Sequence, residues 1–284
     1  MTRLNALLGA ALTLIATTAC ATARVQADDS QWDYQSENAA IGRIYYYERT
    51  NTDGSMDERV TVFQRSETEL EVYKENGLCR NAALVTAELD PETLSTTRLV
   101  GGQLQPEARH MEFAFIAWDA ATGALSLDVR LPNVTITDEA RTESRPWHLY
   151  DFDLASLTVM TPHLADPDAV FGFGMALLWA DPSNPDPMFW MGNVTATPDA
   201  REIHLGHRTR RYALTGSALT GERATGGEAV LWLDADEGYI VDAIFPTPNH
   251  PGYTDFRLRL DHVSDGGLAE WDSLLTAHFA NCEE

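Results

Sequence analysis

Two kinds of residue are scarce in this sequence of 284 residues. It has 3 cysteines, and Lys74 is the only lysine among 20 basic residues. Basic charge is short overall, because 43 acidic residues leave a formal net charge of −23 at pH 7. A chain this acidic repels nucleic acid and anionic lipid headgroups, so we expect neither as a partner. Beyond the N-terminal segment no apolar run approaches the ~18 residues of a spanning helix, so no membrane span is predicted.

Motifs for catalysis and for cofactor binding are also missing. The sequence has no Gly-x-Ser-x-Gly elbow for a serine nucleophile and no glycine-rich loop to cradle a phosphate. His204 and His207 would share one side of a strand only if the strand bulged at Gly206, and no third ligand follows at zinc-like spacing. We therefore predict no catalytic residue, no metal and no cofactor. A polar site would have to be built from His204, His207, His250 and Tyr253.

The first 27 residues have the order of a secretory signal peptide. Arg3 gives a positive start, an apolar stretch follows, and Val25-Gln26-Ala27 supplies small residues where cleavage requires them. We predict an exported protein, periplasmic or secreted, that is cut before Asp28 and forms a single domain over residues 28–284. A second small-residue site, Ala21-Thr22-Ala23, offers an alternative cut. Without the two leader arginines, 18 basic residues face 43 acidic ones, a net charge of −25.

Cys20 distinguishes ordinary cleavage from lipid attachment. Lipidation favours a bulky aliphatic residue three positions before the cysteine, and Thr17 stands there instead. Cleavage after residue 27 removes Cys20 and leaves Cys79 and Cys282, an even pair that predicts one disulfide in an oxidising compartment. The alternatives are a lipid anchor on Cys20 and, for the pair, two buried thiols.

Alternation of apolar and polar residues dominates the chain and predicts roughly a dozen strands joined by tight turns. IGRIYYYERT and DERVTVFQRS flank Asp53-Gly54, a hairpin signal. In TDFRLRLDHV the alternation places His262 on the buried face with three apolar residues. We therefore predict a mainly β fold, a single antiparallel β-rich domain that forms a half-barrel or barrel.

Few and short helices are expected beside these strands. The clearest covers 268–279 and packs on the sheet through a stripe on one face. The stripe consists of Leu268, Trp271, Leu274, Leu275 and His278. A second short helix over 151–160 would take Asp151 as its N-cap and Asp153 as a first-turn acid.

The stretch VFGFGMALLWADPSNPDPMFWMG, residues 170–192, predicts an unusual hairpin. Gly172 and Gly174 alternate with large apolar residues, and such glycines commonly mark the close approach of a ligand or another backbone. The other face and the returning strand would line a cavity or groove for an apolar ligand or a hydrophobic protein segment. The lining residues are Phe171, Phe173, Met175, Leu177, Trp179, Met188 and Trp190. The alternative is a hairpin that only closes the core.

The segment GGEAVLWLDADEGYIVDAIFPTPNHPGYTDFRLRL, about the last quarter of the chain, resembles the closing sheet of secreted bacterial β-rich proteins to which no activity is attached. In outline, the strand-rich pattern with a short covering helix is also similar to periplasmic lipoprotein-localisation carriers. That likeness implies a half-open barrel that holds acyl chains. This chain is longer than those carriers.

These features favour a binding or carrier protein outside the cytoplasm over an enzyme. Its partner would be an apolar, lipid-like small molecule or an envelope protein that offers a hydrophobic segment. The alternatives are a secreted hydrolase, if the polar candidates meet in one cleft, and a structural envelope protein.

Overall fold

A computed structural model describes residues 31–181, 184 and 186–282, so the leader and Cys20 lie outside the described residues. Fifteen strands form one sheet. Strands β1 to β8 are Ile44–Thr50, Glu58–Gln64, Glu69–Glu75, Ala83–Leu89, Thr96–Gln105, Arg109–Asp119, Ala124–Leu131 and Val134–Arg141. Strands β9 to β15 are Trp147–Leu149, Phe171–Leu178, Met188–His204, His207–Thr215, Val230–Asp234, Ile240–Phe245 and Phe256–Ser264.

The sheet follows chain order from β8 back to β1, continues into β15, and then runs down to β9. Neighbouring strands are antiparallel except β9, which pairs with β10 in parallel. Strand β1 joins both halves because it pairs with β2 on one side and β15 on the other. β8 and β9 are the two edges, so backbone pairing leaves the sheet open. The predicted class, one mainly antiparallel β-rich domain, is confirmed.

A buried segment, residues 147–164, begins as the edge strand β9 and then packs on the inward face of this sheet. Its central helix α1, Ala155–Met160, is buried along its whole length. Trp147 and Tyr150 are among the largest fully buried side chains, and both belong to the main core cluster. The Tyr150 hydroxyl donates to the Thr247 carbonyl at 2.7 Å, which ties the segment to the loop before β15. We call residues 147–164 the interior segment.

The predicted helix over 151–160 is only partly correct. Asp153 and Leu154 have φ of 49° and 59°, left-handed values that end the first turn before α1 begins. Leu154 is the N-cap of α1, and no side chain caps it. The N-cap role predicted for Asp151 is therefore wrong, and so is the first-turn role of Asp153, because both residues precede the N-cap Leu154.

Helix α2, Gly267–Ala277, packs on the sheet through a second, separate apolar cluster. Trp271 is fully buried and stacks on Phe63 with ring centroids 5.2 Å apart. His278, just past the helix, is also buried and bonds the Tyr73 hydroxyl at 2.6 Å. The predicted helix is confirmed, but Leu268, in its first turn, is 47% exposed and so does not belong to the packed stripe.

Cys79, after β3, is joined to Cys282, after α2, with Cα atoms 5.4 Å apart. The bond is the predicted one, and it fastens the end of the chain to the first third of the sheet. It is compatible with a location outside the cytoplasm. No helix among the described residues is long and apolar enough to cross a membrane.

The prediction that His262 is buried is wrong. Pairing between β1 and β15 shifts by one residue, so Tyr46 lies opposite His262 whereas Tyr47 lies opposite Leu260. The extra residue, Asp261, is a bulge that reverses the alternation beyond Leu260. The His262 side chain is therefore 55% exposed and stacks on Tyr46 at 4.2 Å.

Candidate functional site

The predicted ligand-lining face of β10 lies against the interior segment and neighbouring strands. Its four large side chains are between 0% and 3% exposed. They are Phe171, Phe173, Met175 and Leu177. Phe173 meets the His148 ring of the interior segment at 5.3 Å, and Phe171 meets Tyr212 at 5.2 Å. Because the chain itself fills this space, these four residues form core.

The two glycines of β10 differ in how closely they are covered. A Cβ at Gly174 would overlap the Trp190 ring and come within 2.6 Å of the Ser144 hydroxyl. A Cβ at Gly172 would meet the Val194 carbonyl oxygen at 3.3 Å. Gly174 therefore leaves the space that Trp190 fills.

We expect Gly174→Ala to lower the free energy of unfolding by about 1–3 kcal/mol, because the added methyl group must displace Trp190 or Ser144. Gly172→Ala is the matched control and should cost less, since its neighbour needs to yield by only a few tenths of an ångström. Urea unfolding of both variants measures the difference. Equal losses would contradict a specific contact between Gly174 and Trp190.

Four large side chains at the end of this hairpin stay partly exposed while they pack on the core. They are Trp179, Phe189, Trp190 and Met191, and we call them the aromatic rim. The Arg223 guanidinium lies 4.7 Å from the Trp179 ring centroid and 5.0 Å from that of Phe189. Met188, also predicted to line a ligand, is buried. Trp179 and Trp190 are thus the predicted lining residues that retain access to solvent.

The rim lies where the first half of the sheet approaches the second. The Met188 backbone N–H donates to the Asp138 carboxylate of β8 at 2.8 Å. Beside it, the Ser144 hydroxyl donates to the side-chain oxygen of Asn193 at 2.5 Å. Side-chain contacts thus replace a backbone ladder between β8 and β11. We call this junction the seam.

The polar candidates do not meet in one cleft. Leu205 and Gly206, with φ of 50° and 85°, form a two-residue turn, so His204 ends β11 and pairs with His207 of β12. The predicted bulge at Gly206 is therefore wrong. His204 bonds the Asp242 carboxylate at 2.8 Å.

His207 lies instead 3.6 Å from the Asp234 carboxylate, so each of the two histidines lies beside a different carboxylate. His250 and Tyr253 lie elsewhere, in the loop before β15. Within the described parts of the chain, no three side chains of metal-binding type gather.

Around that loop the structure forms a buried group of charges that the sequence did not predict. Lys74 forms a salt bridge with Asp153 of the interior segment and donates to the Asp151 carbonyl at 2.6 Å. Arg49 lies 3.8 Å from the same Asp153 carboxylate and donates to the Asn249 side chain. Asn249 in turn donates to Asp153 at 2.6 Å. We call Arg49, Lys74, Asp153 and Asn249 the ionic cluster.

His250 and Tyr253 cover the ionic cluster from outside. The His250 ring lies 3.9 Å from the Asp153 carboxylate, and the Arg49 guanidinium lies 3.1 Å from the Tyr253 ring centroid. Burial, assisted by Lys74, lowers the pKa of His250 to about 3, so this ring is neutral at pH 7. A neutral ring adds no third positive charge, so the carboxylate of Asp153 is paired with Lys74 and Arg49.

The carboxyl groups of the interior segment respond differently to burial. Burial opposes the charge of Asp153, but surrounding positive charges, Lys74 first, outweigh it and hold the pKa below its usual value. Burial raises the pKa of Asp151 to about 7, because the nearby charge of Lys74 and a backbone hydrogen bond offset the loss of hydration only in part. The arrangement fixes the interior segment to β1 and β3 by charge, and it leaves no open cleft at Asp153.

The sequences of β1 and β3 contain a pattern that could have indicated the ionic cluster. Arg49 follows Tyr45 and Tyr47 in the inward phase of β1, and Lys74 follows Val72 in that of β3. A basic residue in the buried phase of a strand needs a buried acid, because an unpaired buried charge is very costly. The alternation therefore identifies both basic residues, whereas their partner Asp153 depends on the path of the interior segment.

Two open cavities elsewhere on the sheet are lined largely by polar groups. One of about 460 Å³ opens at the opposite end of the sheet, where Arg43, Arg210 and Glu237 line it beside Tyr45. Another of about 730 Å³ lies over β1, β2 and β15, between Arg59 and Arg259. Neither is an apolar pocket beside the hairpin.

No family model and no curated protein matches this chain. Among solved structures it is similar to a porin-like protein from Bacteroides uniformis ATCC 8492, at 10% sequence identity. The similarity covers 80% of this chain and 97% of that chain, with a TM-score of 0.21. At this level of similarity, neither the fold nor the function of this chain follows from that protein.

Proposed function

We propose that the protein is a periplasmic or secreted binding protein and that its aromatic rim receives a hydrophobic segment of another envelope protein. The observation that carries the proposal is the partial exposure of Trp179, Phe189, Trp190 and Met191 at the seam. Aromatic side chains and methionine are enriched in the buried centres of protein interfaces. Arg223, exposed and stacked on two of the rings, adds a residue type that is also common there.

A protein segment fits the geometry better than a lipid-like molecule held inside the sheet. An acyl chain would need an enclosed apolar cavity, and the interior segment occupies the space beside the buried face of β10. Trp179 and Phe189 instead offer a partly exposed surface beside Arg223. A short extended segment can cover such a surface without displacing the core.

The alternative of a secreted hydrolase receives less support. General acid–base catalysis requires acid and base within reach of one substrate. His204 bonds the Asp242 carboxylate, whereas His207 lies 3.6 Å from that of Asp234. His250 covers a buried ion pair. The N-terminal leader pattern and the disulfide support a location outside the cytoplasm.

A peptide-display selection tests the proposal without assuming a partner. Wild-type protein should enrich extended apolar peptides, and Trp179→Ala/Phe189→Ala should weaken their binding at least tenfold, since a few buried aromatic residues dominate binding energy. Trp179→Ala alone should cost less stability than the ~3–5 kcal/mol of a fully packed aromatic side chain, because Trp179 is already partly exposed. Fluorescence polarisation of the selected peptides measures their affinity.

The matched control is Ile203→Ala/Leu205→Ala, which removes two exposed apolar side chains, one near the end of β11 and one in the turn that follows it. It should leave peptide binding unchanged. The proposal fails if no peptide is enriched, or if enriched peptides bind the rim variant as well as wild type. Uptake of a fluorescent fatty acid that is lost in the rim variant would replace the protein segment by a lipid-like ligand.

A further inference from the structure

Across the open side of the sheet, no described residue pairs through its backbone with the first half of the edge strand β8. β8 pairs with β7 through all eight of its residues, from Val134 to Arg141. In an antiparallel strand alternate backbone groups face away from the partner. Along 134–137, the part of the chain described shows no backbone bond from these groups to another element. Four residues of β8 thus present an edge that no described backbone group covers, and we call it the free edge.

The second half of the same strand is protected. The Asp138 carboxylate accepts the Met188 backbone N–H, and charged side chains occupy 138, 139 and 141. Natural proteins protect sheet edges with such charges, with proline or with bulges. The residues Val134-Thr135-Ile136-Thr137 carry none of these, and all four are β-branched, which favours strand pairing. The unprotected part of the edge is therefore confined to one end.

Apolar side chains accompany the free edge on one face. Val134 lies opposite Leu131 of β7, and Ile136 lies opposite Val129. Val134 is 48% exposed and Leu131 is 42% exposed, whereas Val129 packs against the main core. The strip thus continues the inward face of the sheet out to solvent. An added strand could place every second side chain on it.

We propose that the hydrophobic partner segment binds as an added strand on Val134–Thr137 of β8, at the open end of the seam. This inference rests on the proposed function and specifies how the segment is held, by backbone hydrogen bonds with alternate side chains on the apolar strip. The partner has the chemistry of an extended apolar segment flanked by basic residues. A chain with a net charge of −23 attracts basic flanks, and it repels a second copy of itself at the same edge.

Two substitutions on the inward side of the edge test this mode. Val134→Lys/Ile136→Lys places inward-pointing charges along the strip, the device by which natural edges prevent pairing. We expect at least tenfold weaker binding of the peptides selected on wild-type protein. Thr135→Lys adds charge to the same strand on the opposite face and should change affinity by less than threefold. Equal melting temperatures of the variants confirm that they fold.

Amide hydrogen exchange supplies the direct readout. A selected peptide should slow exchange within residues 134–137 of β8, and N-methylation of alternate peptide residues should weaken binding at least tenfold because it removes backbone donors. Unchanged exchange in 134–137 together with unchanged affinity of the edge variant refutes the added strand. If the rim variant still loses binding in that case, the proposed function stands and only this mode falls. Sedimentation that shows a dimer which the edge variant abolishes would instead assign the edge to a second copy.

Discussion

Replacing Asp153 by alanine is expected to lower the free energy of unfolding by about 3–5 kcal/mol. The substitution leaves Arg49 fully buried and Lys74 nearly so, without the carboxylate that both of them face. Breaking a buried ion pair from one side is costly because the remaining charge has lost its hydration and gains no partner. Asn249 loses an acceptor as well. Urea unfolding followed by tryptophan fluorescence measures the loss.

An exposed pair provides the matched control for Asp153. Glu88 lies 2.9 Å from Arg98, and both side chains are more than half exposed. Glu88→Ala should cost at most about 1 kcal/mol, because water compensates an exposed charge. If Asp153→Ala costs no more than Glu88→Ala, the ionic cluster does not hold the interior segment, and the segment depends on apolar packing alone.

A substitution at Lys74 distinguishes the electrostatic contribution of the ionic cluster to stability from the contribution of side-chain packing. Lys74→Met keeps most of the volume and removes one positive charge. In the Asp153→Ala background this second change should restore part of the lost stability, since one uncompensated buried charge disappears with it. A double variant that is less stable than the sum of both single losses would contradict a direct pairing of Lys74 with Asp153.

Local alternation was sufficient to predict most of the sheet. The β1–β2 hairpin and helix α2 follow from apolar spacing and turn residues near them in the sequence. Errors arose where one residue changes the phase. The bulge at Asp261 turned His262 outward, and the two-residue turn at Leu205 divided a supposed strand into two. Neither the bulge nor the turn is marked by a distinctive residue pattern that alternation alone could detect.

Alternation could not predict which segments distant in sequence pack together in the fold. Nothing near residues 147–164 in the sequence shows that this segment fills the inside of a sheet whose strands precede and follow it in the chain. For this reason we predicted a cavity at the face of β10 that the structure shows to be core, and we did not predict that Asp153 pairs with Lys74. The resemblance of the last quarter to secreted bacterial β-rich proteins stays a prediction.

Removing the disulfide is expected to lower the free energy of unfolding by about as much as Asp153→Ala does, but through an effect on the unfolded chain. Cys79 and Cys282 are 203 positions apart, and for so long a loop the chain-entropy model gives roughly 5 kcal/mol. Most of this stabilisation acts on the unfolded chain, which is more compact while the bond is intact. Cys79→Ser/Cys282→Ser should therefore lower the free energy of unfolding by about 2–5 kcal/mol and raise the dependence of that free energy on urea.

The folded state should change little, because helix α2 keeps contacts that do not involve sulfur. Trp271 stacks on Phe63, and His278 bonds both Tyr73 and the Arg80 carbonyl, the latter at 2.8 Å. Wild-type protein treated with a thiol reductant should match the double serine variant, and peptide binding at the aromatic rim should be unaffected. A loss below 1 kcal/mol would show that these contacts already hold the C-terminal region near β3 in the denatured ensemble, so that closing the loop costs the unfolded chain little further entropy.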